Sequence, residues 1–82
     1  STIFTYHLTR DADELSLKLF TSGGKLIKEF IESNVNEGYH EIVWDLKDKK
    51  NNPVANGVYF YRFIARRRGE EIIRTFKMAV LR

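Results

Sequence analysis

Apolar residues in this chain recur at every second position, segment after segment, and no window carries them at the three- and four-residue spacing of an amphipathic helix. Thr2 to Leu8 sets Phe4, Tyr6 and Leu8 against Thr5 and His7, and residues 14–20 set Leu15, Leu17 and Leu19 against Ser16 and Lys18. Residues 39–45 place His40, Ile42 and Trp44 opposite Glu41 and Val43. Successive side chains of a strand point to opposite faces, so each run reads as a strand with one buried face. Residues 25–32 are strand-like but irregular, because Phe30 and Ile31 are adjacent, and a bulge or burial on both faces is expected there. Two longer runs, 58–66 and 70–81, are joined at Arg67-Arg68-Gly69 and read as a hairpin.

Turn chemistry separates the runs. Ser22-Gly23-Gly24 supplies positive-φ positions, residues 34–38 form a loop, and residues 46–57 make a polar connection that holds the only proline, Pro53. About six or seven short strands with no helix specify an all-β fold, a small antiparallel β-sandwich, with residues 1–82 as one domain. The inward set is expected to be Phe4, Tyr6, Leu8, Leu15, Leu17, Leu19, Ile42, Trp44, Tyr59, Tyr61, Phe63, Phe76, Met78 and Val80. These would fill two inner faces about 10 Å apart. Each buried Phe or Leu contributes roughly 1.5–3 kcal/mol, which such a short chain needs to offset its ordering entropy.

Charge and composition narrow the function classes. The net charge is only +3, and Arg66-Arg67-Arg68 is followed at once by Gly69-Glu70-Glu71, so no uncompensated basic stripe marks a nucleic-acid surface. No apolar run approaches the ~20 residues of a bilayer span, so membrane insertion is not expected. The chain has no cysteine, which leaves packing as the sole staple. It starts at Ser1 directly in a strand-like pattern and reads as a segment of a longer protein.

The stretch from Pro53 to Phe63 carries the sharpest signal. Gly57-Val58-Tyr59-Phe60-Tyr61 matches the approach to the penultimate strand of immunoglobulin-type sandwiches, where a tyrosine hydroxyl ties back to the corner backbone. Tyr59 fits that corner, Tyr61 the inward place that follows it, and Gly57 frees the backbone at the turn. Phe60 and Arg62 then fall on the opposite face.

Taken in order, Leu15-Ser16-Leu17-Lys18-Leu19-Phe20, Gly38-Tyr39-His40, Trp44-Asp45-Leu46-Lys47-Asp48, Asn51-Asn52-Pro53-Val54-Ala55-Asn56-Gly57-Val58-Tyr59 and Phe76-Lys77-Met78-Ala79-Val80-Leu81-Arg82 span nearly the whole chain. Their order and spacing resemble the FlgD-like immunoglobulin-fold domain, a group that shades into the C-terminal sorting domains of the bacterial type IX secretion system. The sequence departs from that pattern at Thr9, where the family has proline, and at Asp13 and Leu46, where it has glycine. It departs again in the Asp48 to Asn52 turn. All four departures are expected in loops.

The resemblance implies a non-catalytic role in one of two forms. The first is a C-terminal sorting and anchoring domain of a larger secreted protein, passing through the periplasm to the outer cell surface, with the secretion machinery as partner. The alternative is a structural immunoglobulin-like module that packs against adjacent domains of its parent, as in the flagellar hook-capping protein. On either reading the docking face comprises Ile73, Thr75, Lys77, Ala79, Leu81 and Arg82 with Phe60 and Arg62, while Trp44, Gly57, Tyr59 and Tyr61 are structural. A strand edge that can pair with a partner suits both.

Other chemistry finds little footing. His7 and His40 are too scattered for a metal or nucleophile site, and His40, beside Ile42 and Trp44, is expected to be a hydrogen-bonded structural residue. Asp45, Asp48, Asn51 and Asn52 could offer oxygen ligands to calcium, but Lys47, Lys49 and Lys50 intrude and no glutamate closes the loop. Asp11, Asp13 and Glu14 lack a pocket to raise a pKa, Ser22-Gly23-Gly24 lacks the context of a phosphate cradle, and Ser16 has no His/Asp partner pattern. No enzyme activity and no cofactor are expected. A carbohydrate-binding module is a third reading, with Tyr39 and Phe60 as its aromatics.

Overall fold

A computed structural model describes residues 1–82. Six strands make it up: β1 (Thr2–Leu8), β2 (Ala12–Thr21), β3 (Leu26–Val35), β4 (Gly38–Trp44), β5 (Gly57–Arg67) and β6 (Glu70–Val80). They form a two-stranded sheet, β1-β4, against a four-stranded sheet in the order β3-β2-β5-β6, with every pairing antiparallel. This is an all-β immunoglobulin-like sandwich with no helix.

The core lies where the two sheets overlap. Phe4, Leu17, Leu19, Ile27, Ile42, Trp44, Val54, Tyr59 and Val80 form one buried cluster, with Tyr6, Phe30, Leu46, Tyr61, Phe63 and Met78 packed against it. Leu17, Leu19 and Trp44 are fully shielded. The Phe4 ring bridges the layers, 4.8 Å from Tyr61 and 6.2 Å from Trp44, in the offset and tilted arrangements that aromatic quadrupoles favour.

Two strands cannot cover four, and this corrects the expected inner face at one edge. Phe76 is 47% exposed and Met78 only half-buried, because β6 is covered by the small sheet only at its end, where Val80 enters the core. Leu8, Tyr61 and Phe63 are likewise half-buried. The irregularity expected in the third strand sits at Ile27 rather than at Phe30 and Ile31. Leu19 faces Lys28 while Phe20 faces Leu26, so Ile27 is the extra residue, and the bulge turns its side chain into the core.

The long polar connection after β4 is pinned at several points. Asp45 Oδ1 accepts the Lys47 N–H, the Trp44 indole N–H donates to the Lys47 carbonyl (2.8 Å), and Val54 N–H donates to the Leu46 carbonyl (3.0 Å). Lys49 N–H reaches the Ile27 carbonyl across the gap to β3. Between these bonds Val54 drops into the core. Leu46 and Asn51 both adopt left-handed backbone, with φ of 63° and 67°. Leu46 therefore occupies, at a conformational cost, a place where the resembled pattern carries glycine.

Candidate functional site

The register of β5 against β6 decides which side chains share a face. Val58 faces Ala79, Phe60 faces Lys77, Arg62 faces Thr75 and Ile64 faces Ile73. The outer surface of the four-stranded sheet thus gathers Ile73, Thr75, Lys77 and Ala79 with Phe60 and Arg62. Two members of the expected docking set lie elsewhere. Leu81 is past the end of β6 and 83% exposed, and Arg82 exchanges hydrogen bonds with the Asn56 amide, its N–H donating to Oδ1 (3.1 Å).

That outer face is ordered in rows across the sheet. One row runs Ile31, Ser16, Ile64, Ile73 from β3 to β6. Its centre, Ser16 and Ile64, is buried, while the ends stand open, Ile31 at 58% and Ile73 at 46%. The rows on either side are charged and paired: Arg66 binds Glu14 (3.0 Å) and Glu71 (2.7 Å), and Lys18 lies 3.7 Å from Glu29. Exposed pairs of this kind are screened by water and add little to stability, so their main effect is to frame the apolar row.

Arg62 is less available than its position suggests. Its Nε donates to Thr75 Oγ1 (3.2 Å) and its guanidinium lies over the Phe20 ring, 5.0 Å from the centroid. Phe60, opposite Phe20, is half-buried.

The strand β6 is open along its length: every residue from Glu70 to Lys77 is exposed. Its turn, Arg68-Gly69, has both residues at positive φ (51° and 79°), the arrangement of a tight two-residue hairpin, and the Arg68 N–H is held by Asp13 Oδ2 (2.9 Å). Asp13, expected in a loop, lies within β2 and performs this tie from there.

The structural residues sit at the corner between the sheets. Tyr59 is buried, and its hydroxyl donates to the Ala55 carbonyl at 2.5 Å. Gly57 opens β5 at φ 154°. Tyr61 stacks on Phe76 at 5.2 Å. His40 Nε2–H donates to the Asn36 carbonyl (2.6 Å), and the ring stacks on Tyr6 (5.2 Å). The Tyr6 phenol, donating to Glu32 (2.9 Å), holds its proton well above the ordinary range, first through burial and then through that carboxylate.

The oxygen-rich loop is a set of Asx turns. Asp48 Oδ1 accepts the N–H groups of Lys50 (2.9 Å) and Asn52 (3.0 Å), and Asn51 N–H donates to the Asp48 carbonyl. The bond from Asn52, followed by that from Lys50, holds the Asp48 carboxyl below its usual range. Asp45 and Asp48 therefore direct carboxylate oxygens at the loop's own backbone, Asn51 takes part only through its N–H, and no three acidic or imidazole groups converge. Tyr39 and Phe60 lie on opposite outer faces, one on the small sheet beside His7 and one on the large sheet, so they form no common aromatic platform.

A family model for the FlgD Ig-like domain matches residues 1–68. The chain belongs to that family. Within this FlgD Ig-like domain the match closes in the hairpin turn, two residues before β6 begins at Glu70. Among solved structures the fold is similar to that of FlgD from P. aeruginosa, with a TM-score of 0.78 at 16% identity, covering 95% of this chain. This chain spans 62% of the length of that protein. No curated protein matches.

What sequence reasoning missed are five buried residues: Ala12 and Val35 at the end of the β2-β3 ladder, Ile27 in the bulge, Val54 in the long connection, and Ile64 at the centre of the outer face. Val35 faces Ala12 at the end of the β2-β3 ladder, where the alternation had already given way to Ser and Asn. Only Val54, following a proline in a polar loop, carried a usable signal.

Proposed function

We propose that this FlgD Ig-like domain is a non-catalytic docking module of a longer polypeptide in the cell envelope or outside the cell, with its C-terminal hairpin as the docking element. The observation that carries the reading is the exposure of β6 from Glu70 to Lys77, with Ile73 open at the end of an apolar row framed by ion pairs. A long, open edge strand is an association hazard unless something covers it, so an adjacent domain that packs on the outer face of β5 and β6 gives it a use. The polar groups near it, Arg62, Thr75 and Lys77, form no nucleophile and base pair, which fits a packing role.

Ile73→Lys separates packing from folding. The side chain is half-exposed on an edge, so the isolated domain should keep its stability to within about 0.5 kcal/mol. The longer polypeptide should become susceptible to limited proteolysis at the junction with its neighbour. Unchanged protection would sink the packing reading.

A second reading, in which the same hairpin is the sorting signal for type IX secretion, is favoured by one feature: β6 lies wholly outside the residues shared with the family model. Deleting residues 77–82 would be a poor test, since Val80 belongs to the core and the deletion would unfold the domain. Reporter fusions carrying Ile73→Lys, Thr75→Glu or Lys77→Glu keep the core. Export that fails for these and proceeds for the unaltered fusion supports sorting, and export indifferent to all three removes it.

A further inference from the structure

A groove runs along the side of the molecule where the two-stranded sheet stops short. Its volume is about 720 Å³. One wall is the end of β1 with residues 9–11 after it, the floor is Phe63 and Ala65, and the other wall is the inner face of β6, presenting Ile72, Arg74 and Phe76. Strand β1 pairs only with β4, so the N–H and C=O groups of alternate residues along Thr2–Leu8 point away from β4 without a strand partner.

We infer that this groove is a strand-addition site: an extended segment of another polypeptide pairs with the free edge of β1 and becomes a third strand of the small sheet. It goes beyond the docking of a neighbour on the outer face of β6, because the groove uses the opposite face of that strand and a different sheet edge. The missing layer is the reason Ile72 and Phe76 are left 59% and 47% exposed, although their partners across the ladder, Ala65 and Tyr61, are half-buried. A third strand beside β1 would cover both.

Charge sets the composition of that strand. Arg74 stands between Ile72 and Phe76 on the groove wall, and Arg10 and Arg67 stand at its end. None of the three has a carboxylate within ion-pair distance, but the end of the groove is not purely basic: Glu70 lines it across the ladder from Arg67, and Asp11, which accepts the Glu37 N–H (2.7 Å), lies there too, so Arg74 is the cation that stands apart from them. Inward side chains of an added strand fall two residues apart. An apolar residue over Phe76, an acidic one at Arg74 and an apolar one over Ile72 give the order apolar, acidic, apolar at i, i+2 and i+4, while the next inward position meets Glu70 together with Arg67 and Arg10 and suits an uncharged polar residue. Backbone pairing would supply affinity and these pockets the selectivity, as in other cases of strand addition.

The test uses the 82-residue chain and a capped synthetic peptide of about nine residues, long enough for one strand. The peptide carries Leu, Asp and Leu at alternating positions with Thr at the others, and a second peptide carries Lys in place of Asp. Amide NMR titration should place the shifts in β1 and on Arg74 and Phe76, with new protection from exchange in β1. Binding of the acidic peptide should weaken at least about tenfold with Arg74→Glu, equivalent to about 1.4 kcal/mol. Arg74→Gln should fall between, and Ile73→Lys on the outer face should leave binding intact. Three outcomes overturn the inference: no shift at millimolar acidic peptide, equal binding of the lysine peptide, or peptide-independent protection of β1 that grows with protein concentration, which would mean that a second copy fills the groove.

Discussion

Replacing Tyr59 by Phe removes one oxygen atom and tests how the corner between the sheets is held. The Tyr59 ring is buried and makes an edge-on contact with Trp44 at 6.4 Å, which Phe would keep. What disappears is the hydroxyl bond to the Ala55 carbonyl, the link that closes the long connection back onto β5. A hydrogen bond of this kind contributes a net of about 0.5–1.5 kcal/mol. For a chain of this size each kcal/mol moves the melting temperature by about 4–8 °C, so Tyr59→Phe should melt several degrees lower. Tyr61→Phe is the control: that hydroxyl makes no hydrogen bond within the protein and no buried side-chain polar atom is left unpaired, so its loss should change little. Differential scanning calorimetry of both variants at one pH reads the contrast. Equal losses, or no loss at Tyr59, would refute the corner bond as the fastening of this fold.

Further outcomes follow from the same structure. Leu17→Ala opens a cavity at the centre of the sandwich and should cost about 2–5 kcal/mol in urea denaturation, a large part of the 5–15 kcal/mol expected of a domain. Arg68→Asn places the residue favoured at the first left-handed position of a type I′ turn, keeps the N–H that Asp13 accepts, and should raise stability by up to about 1 kcal/mol, read as a higher urea midpoint. Because the folded Asp48 carboxyl is held below its unfolded value, its contribution is present above the unfolded pKa and is lost as pH falls through the folded one. Asp48→Asn should accordingly flatten the fall in melting temperature on the acid side of the ordinary aspartate range while leaving the neutral-pH slope unchanged.

The strands were legible because one face of each is buried and the alternation records it. β1 came out with its bounds intact, and β2, β4, β5 and β6 within about two residues, the usual ambiguity of element ends. The Tyr59 corner was legible too, since Gly57 and the spacing after it encode a geometry rather than a composition. The partial cover of the large sheet was not. Phe76 alternates as cleanly as Leu17, but a sequence does not state that the facing sheet has two strands and the nearer four. Ile27 was hidden for a related reason, because a bulge breaks the period by which burial is read. The outer face of β5 and β6 was legible as a face, through the register that Phe60 and Arg62 share with Lys77 and Thr75. The groove beside β1 was not, since it arises from a strand that is missing rather than from residues that are present.

The proposed docking role of the hairpin is tested most directly by side-chain footprinting with a diffusible carbene or hydroxyl radical, applied to the 82-residue chain and to the longer polypeptide proposed to contain it. The account predicts that Ile73 and Phe60 are modified in the isolated domain and protected in the longer polypeptide, while Tyr39, on the far face, is modified in both. Equal modification of Ile73 in the two would contradict it.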